Sequence, residues 1–167
     1  MQGKTIVVTG GTSGIGEVAA FELAGMGARI VLIARSKSRG EASLARVQAR
    51  APGVDHQIHY ADLAQLSDVK RVAAEVAAAE PKIDVLINNA GAMFANRTTT
   101  ADGFEKTFAL NHLSYFVLTA GLRASLLAAA RARIVNTASD AHKTAQFNID
   151  DLQMAKNYTS FQAYSRS

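Results

Sequence analysis

Short apolar runs recur along the chain at residues 5–8, 29–34, 57–60, 85–87 and 133–136, each bounded by turn residues or charges. Runs of this length, β-branched or apolar throughout, predict strands buried on both faces of a parallel sheet. The intervals between them are helical in pattern. Residues 14–26 carry Ile15, Val18, Ala19 and Leu23, with Gly25 or Gly27 available as a stop. Residues 37–50 place Leu44 and Val47 on one side and end at Ala51-Pro52-Gly53. Leu66, Val69, Val72, Ala73 and Val76 form an apolar stripe at helical spacing. A long helix is expected from about residue 102 to 130, with Phe104, Phe108 and Leu122 toward the sheet. Strands alternating with helices predict βαβ units and a doubly wound α/β sheet with right-handed crossovers. There is no repeat, low-complexity tract or linker, so residues 1–167 read as a single domain.

Composition narrows the chemistry. The chain is 49% apolar, enough for a core that buries about 70% of the unfolded surface. It has no cysteine, which removes disulfides, thiolate metal sites and cysteine nucleophiles together. His56 and His59 are spaced like helical ligands but fall on a strand without a carboxylate pattern, so no metal is expected. His112 and His142 read as residues that orient loops. Arg123, Arg131 and Arg133 interrupt the longest hydrophobic region, so no membrane span is expected in this segment. With no apolar leader before the first strand, a cytoplasmic location is the default expectation. The net charge of +4 invites a nucleic-acid reading. The basic residues are scattered, however, and no aromatic stacking platform accompanies them, so no nucleic acid is expected. Only Arg35, Lys37 and Arg39 cluster, which suits one phosphate group better than a polymer.

The most informative segment is Thr9-Gly10-Gly11-Thr12-Ser13-Gly14-Ile15-Gly16, directly after the first apolar run. A strand that turns through glycines into a helix N-terminus presents free N–H groups and a partial positive charge to an anion. Gly10, Gly14 and Gly16 shape the turn, while Thr12, Ser13 and Ile15 line it and offer groups to a pyrophosphate. The bland reading is an ordinary βα turn.

With these elements placed, the chain resembles the short-chain dehydrogenase/reductase family over essentially its whole length. The resemblance rests on the glycine turn, Asp62-Leu63 after the third strand, Asn88-Asn89-Ala90-Gly91 after the fourth, Asn111 in the long helix, Ser139 after the fifth strand, and Tyr164 near the end. It is nearer to retinol-dehydrogenase-like and protochlorophyllide-reductase-like members. Asp102-Gly103-Phe104-Glu105, Asn111-His112-Leu113, Ala138-Ser139-Asp140-Ala141-His142 and Ile149-Asp150-Asp151-Leu152 carry that branch. The resemblance implies a Rossmann-like sheet in the order 3-2-1-4-5 for the part present, with sixth and seventh strands missing. It also implies a nicotinamide cofactor, a small alcohol, aldehyde or ketone as substrate, and a homodimer or homotetramer. Asp62 and Leu63 would lie by the adenine, and Asn89, Ala90 and Gly91 would line the cofactor. Asn111, Ser139 and Tyr164 would be catalytic. The alternatives, read locally, are that Asp62 caps the next helix and that Asn111 is a satisfied core amide.

Reducing a carbonyl needs a hydride at carbon and a proton at oxygen; a phenol can supply the proton. An unperturbed tyrosine, with a pKa of about 10, needs a neighbouring cation for this work. By resemblance that cation is a lysine four residues after Tyr164, a position just past Ser167. Arg35 at the end of the second strand, with no acid on that strand, favours the 2′-phosphate of NADP over the ribose hydroxyls of NAD. The alternative is that Arg35 snorkels across a helix. The leading expectation is an NADP-dependent oxidoreductase acting on a hydrophobic alcohol or carbonyl, the hydrophobicity read from Met93-Phe94. The alternative is a catalytically silent NADP-binding sensor or scaffold that lacks the lysine. Residues 157–167 read as the first turns of a further helix, so the domain is expected to be cut short at the catalytic helix.

Overall fold

The computed structural model describes Met1–Ser167. Five parallel strands form one sheet in the order β3-β2-β1-β4-β5: β1 Thr5–Thr9, β2 Arg29–Ala34, β3 Gln57–Tyr60, β4 Val85–Asn88 and β5 Arg133–Asn136. The predicted strands and their order are those observed. Between them run α1 Gly14–Gly25, α2 Lys37–Arg50 and α3 Leu66–Ala79. β1 lies at the centre, paired with β2 on one side and β4 on the other.

Alternation along each strand divides the core into two. Ile6, Val8, Ile30 and Leu32 face α1 and α2, packing on Ala20, Ala24 and Val47. Val7, Val31, Ile33 and Leu86 face the other layer, where the α3 stripe Val69, Val72, Ala73 and Val76 meets Leu118 and Leu122. Burial of the α3 stripe is as the spacing predicts. α1 differs from its predicted face. Its buried residues are Gly16, Ala20 and Ala24, while Ile15 and Val18 are 76% and 62% exposed. Small side chains let this helix sit close to the sheet, and closeness decides which face turns inward.

The expected long helix is broken. It begins as α4 Lys106–Phe108, passes through a π-helical turn at Ala109–Leu113, continues as α5 Ser114–Gly121, and ends as α6 Arg123–Leu127. Residues 102–105 precede it, because Glu105 caps it: its carboxylate accepts from the Thr107 and Phe108 N–H groups at 2.8 Å each. Phe104 and Phe108 are therefore only half-buried, whereas Leu122 is fully buried as expected. Gly121 lies where a Cβ would press on Ala73, so its lack of a side chain allows α5 to approach α3. After β5, two short 3-10 turns at Asp140–Thr144 and Ile149–Asp151 lead to α7 Ser160–Arg166.

The N-terminal edge of the sheet is stitched by polar contacts. Lys4 pairs with Asp84 at 2.8 Å, and the Asp84 carboxylate also accepts from Thr5 N–H. Arg29 pairs with Glu80 at 2.8 Å and with Asp55 at 2.7 Å. His56, which sits just before β3 rather than on it, accepts the Ile30 N–H at Nδ1, 3.0 Å away. β5 forms the outer edge, with all four residues exposed. No helix is long and apolar enough to cross a membrane.

Candidate active site

The strands deliver their C-terminal ends to one open cleft of about 1640 Å³. In such sheets ligands gather at that end, where strand order reverses beside the central strand. The turn between β1 and α1 forms the floor. Gly10 has φ +67°, and a Cβ there would collide with Ala90. A Cβ at Gly16 would collide with the Asn89 amide and the Gly10 carbonyl. Gly16 thus sits behind the turn, packing it against the β4 loop, and neither it nor Gly14 lines the cleft. The Thr9 hydroxyl locks this junction: it accepts from Asn89 N–H at 2.9 Å and Ala90 N–H at 3.0 Å, and donates to the Ile87 carbonyl at 3.3 Å. Sequence reasoning missed Thr9, although a hydroxyl at the last position of a strand before a glycine turn is a usable signal.

The α1 N-terminus is left open. Ser13 precedes it in extended conformation with no side-chain cap, and the first bond is Glu17 N–H to the Ser13 carbonyl. The other long helices are closed: Ser36 caps α2, and Asp102 accepts the first N–H of α3 at 2.9 Å. Free N–H groups at the start of α1, in a glycine cradle lined by Thr12, Ser13 and Ile15, fit a pyrophosphate.

At the end of β2, Arg35 lines the cleft without any hydrogen bond or ion pair to the protein. Arg39, one turn into α2, lines it too. Lys37, expected in the same cluster, lies instead 3.9 Å from Glu41 and away from the cleft. Asp62 and Leu63, which follow the neighbouring β3, line the cleft as well. The Asp62 carboxylate accepts from Ala64 N–H at 3.1 Å, a local turn ahead of α3 rather than a cap on it, and only one oxygen is engaged.

The β4 loop is held by its own asparagines. Asn88 is fully buried and donates to Thr119 at 3.2 Å and Asn136 at 2.9 Å. Asn89 donates to the Thr9 and Gly10 carbonyls and accepts from Thr137 at 3.2 Å. The amide donors of both asparagines are therefore spent on the scaffold, the Asn88 Oδ1 remaining buried without a partner, while Ala90 and Gly91 present backbone to the cleft. Asn111, in the π-helical turn, clamps Ala92 from both sides, accepting its N–H and donating to its carbonyl at 3.0 Å each. It also donates to Ser167 at 2.8 Å. The satisfied-amide reading of Asn111 thus holds for its side chain. π-helical turns concentrate at functional sites, and no periodicity in the sequence announces this one.

Ser139 and Tyr164 close the site. Ser139 Oγ accepts from Ala141 N–H at 3.2 Å, which leaves its own hydroxyl proton to donate. Tyr164 lines the cleft from α7, and its hydroxyl has no protein partner. α7 is anchored at its start, where the Tyr158 hydroxyl donates to the Phe94 carbonyl at 2.9 Å. Tyr115, unforeseen in the sequence, lies near Tyr164; burial first, then that neighbour, push its phenol up to about 12. No cluster of three or more His, Cys, Asp or Glu side chains is placed to hold a metal.

Comparison with known proteins places this architecture. The family model for short chain dehydrogenase matches residues 4–150. Human retinol dehydrogenase 13 is 39% identical over 168 residues, an alignment covering 99% of this chain and 50% of that protein. Among solved structures, an uncharacterized protein from Mycobacterium paratuberculosis superposes with a TM-score of 0.81 at 36% identity, covering 98% of this chain and 57% of that one. The Pseudomonas aeruginosa RhlG/NADP active-site complex superposes with a TM-score of 0.78 at 27% identity, covering 99% of this chain and 61% of that one. The chain spans about half the length of the curated relatives it matches. A five-stranded 3-2-1-4-5 sheet, an open helix N-terminus after a glycine turn and a family match over most of its length lead to one conclusion: the chain belongs to the short-chain dehydrogenase family.

Proposed function

We propose that the protein is an NADP(H)-dependent oxidoreductase that interconverts a hydrophobic alcohol and its aldehyde or ketone. One observation carries the reading: a single cleft joins the uncapped α1 N-terminus and two arginines at one end to Ser139 and Tyr164 at the other. A diphosphate is received by the backbone of Ser13 and Ile15, and Arg35 with Arg39 receives a 2′-phosphate, for which guanidinium forks are suited. Asp62 offers its free oxygen near the adenosine. That RhlG was solved with NADP supports this preference.

The bound nicotinamide supplies a hydride to the carbonyl carbon. The chain supplies the rest. Ser139 donates its hydroxyl proton as a hydrogen bond to the carbonyl oxygen, since its acceptor capacity is already turned to Ala141. Tyr164 transfers its phenolic proton to that oxygen, so carbon gains the hydride, oxygen gains the proton, and an alcohol leaves. Asn111 holds the Ala92 backbone and α7 at fixed separation through its bonds to Ala92 and Ser167. Met93, Leu110 and Leu126 give the cleft an apolar wall.

The test is NADPH oxidation by the full-length protein with hydrophobic aldehydes and ketones. Turnover is expected with at least one, and Tyr164→Phe is expected to lower kcat by about a thousandfold with NADPH affinity retained, in line with loss of a general acid. A fully active Tyr164→Phe variant would contradict the assignment.

A further inference from the structure

We propose that His142 is a second substrate-contacting residue, accepting a hydrogen bond from a hydroxyl on the carbon next to the reacting carbonyl. The site then takes α-hydroxy ketones, or vicinal diols in the reverse direction. This rests on the oxidoreductase reading above.

The geometry is specific. His142 Nδ1 lies 2.6 Å from the Ser139 carbonyl oxygen. A carbonyl oxygen can only accept, so Nδ1 carries the proton, and in the neutral ring Nε2 keeps its lone pair. The His142 backbone N–H donates to the same carbonyl at 3.2 Å, so ring and backbone are tied to one atom. Nε2 has no protein partner, and His142 lines the same cleft as Ser139. Asp140, the nearest carboxylate in sequence, is occupied by Lys143 at 3.0 Å.

Ser139 and His142 thus stand on one turn and line one cleft, the first with a hydroxyl proton to donate and the second with a lone pair to accept. The Ser139 hydroxyl proton has no acceptor in the protein, while Ala141 N–H takes one of its lone pairs, so it is left to donate. The His142 Nε2 is left to accept because Ser139 fixes its tautomer. A carbonyl oxygen beside a hydroxyl presents the complementary acceptor and donor on adjacent carbons. A plain ketone satisfies only the serine.

The experiment compares 2-hydroxyacetophenone with acetophenone, using the full-length protein saturated with oxidised NADP for binding and with NADPH for turnover. Affinity is measured by calorimetry and turnover by NADPH oxidation, for wild type, His142→Asn and His142→Phe. Asparagine can keep an N–H near the Nδ1 position while removing Nε2. Wild type is expected to favour the hydroxy ketone about tenfold in affinity and in KM, what one added hydrogen bond supplies. Both variants are expected to bring that ratio to about one. An unchanged ratio in His142→Asn, equal affinities in wild type, or no binding of either ketone overturns the proposal. Turnover without preference removes it and leaves the oxidoreductase reading standing. A calorimetric preference that both variants abolish, without turnover of either ketone, overturns the assignment of these compounds as substrates, while the oxidoreductase reading is decided separately by the panel of hydrophobic aldehydes and ketones.

Discussion

Two residues show how differently side chains serve this cleft. Arg35 is exposed and unpaired, so it costs nothing to redirect toward a ligand. Replacing it with aspartate is expected to weaken NADPH binding about tenfold to a hundredfold, the range of a charge-assisted hydrogen bond, and to leave NADH binding equal or improved. Fluorescence titration with both cofactors checks this; equal losses for the two would mean that Arg35 does not meet the 2′-phosphate. Thr9 is the opposite case, 1% exposed and bonded to three backbone groups. Thr9→Val leaves the Asn89 and Ala90 N–H groups without an acceptor and is expected to cost about 1–3 kcal/mol in denaturant unfolding. The sequence pointed to Arg35 through the charge cluster after the second strand. It did not single out Thr9, whose strand-end hydroxyl meets partners about 80 residues away in the chain.

At the scale of elements, what was legible follows from how each element is stabilised. β1 and β2 are apolar runs buried past their first residue, and α3 has a clean stripe, so hydrophobic pattern alone locates them, whereas β3 is half-buried and β5 exposed, and it is their place in the alternation with helices that marks them. The segment from 102 to 130 reads as one helix because apolar residues recur through it with no proline to stop them. It starts late because Glu105 caps it locally, and its later features, the Asn111 clamp on Ala92 and Gly121 against Ala73, are contacts distant in sequence. α1 misled for a related reason: its contact face is made of residues too small to register as apolar signal. The β2–β3 connection carries a pH-dependent link. Burial, then the nearby Arg29 charge, hold His56 below its ordinary value, and Nδ1 must be unprotonated to accept from Ile30. A depressed folded-state pKa means the unfolded chain takes the proton first, so this stability is present above about pH 6.5 and is lost as pH falls below it. Unfolding midpoints measured across pH 5–8 are expected to fall on the acid side of 6.5, and His56→Asn to flatten that slope. An identical slope in the variant would place the acid sensitivity elsewhere.

Across the whole molecule, the sheet has two unlike ends. The N-terminal ends of the strands are closed by Lys4–Asp84, Arg29–Glu80 and His56–Ile30. The C-terminal ends stay open, and nearly every predicted site residue converges there: Gly10, Thr12, Ser13, Ile15, Arg35, Asp62, Leu63, Asn89, Ala90, Gly91, Asn111, Ser139 and Tyr164 all line one cleft. Motifs far apart in the chain become neighbours because parallel strands all discharge their loops on the same side. The most direct measurement is a crystal structure of the full-length protein with NADP. The diphosphate is expected within hydrogen-bond reach of the Ser13 and Ile15 backbone, the 2′-phosphate against Arg35, and the nicotinamide beside Ser139 and Tyr164. A dinucleotide bound elsewhere, or one whose nicotinamide end lies away from Tyr164, would contradict this placement.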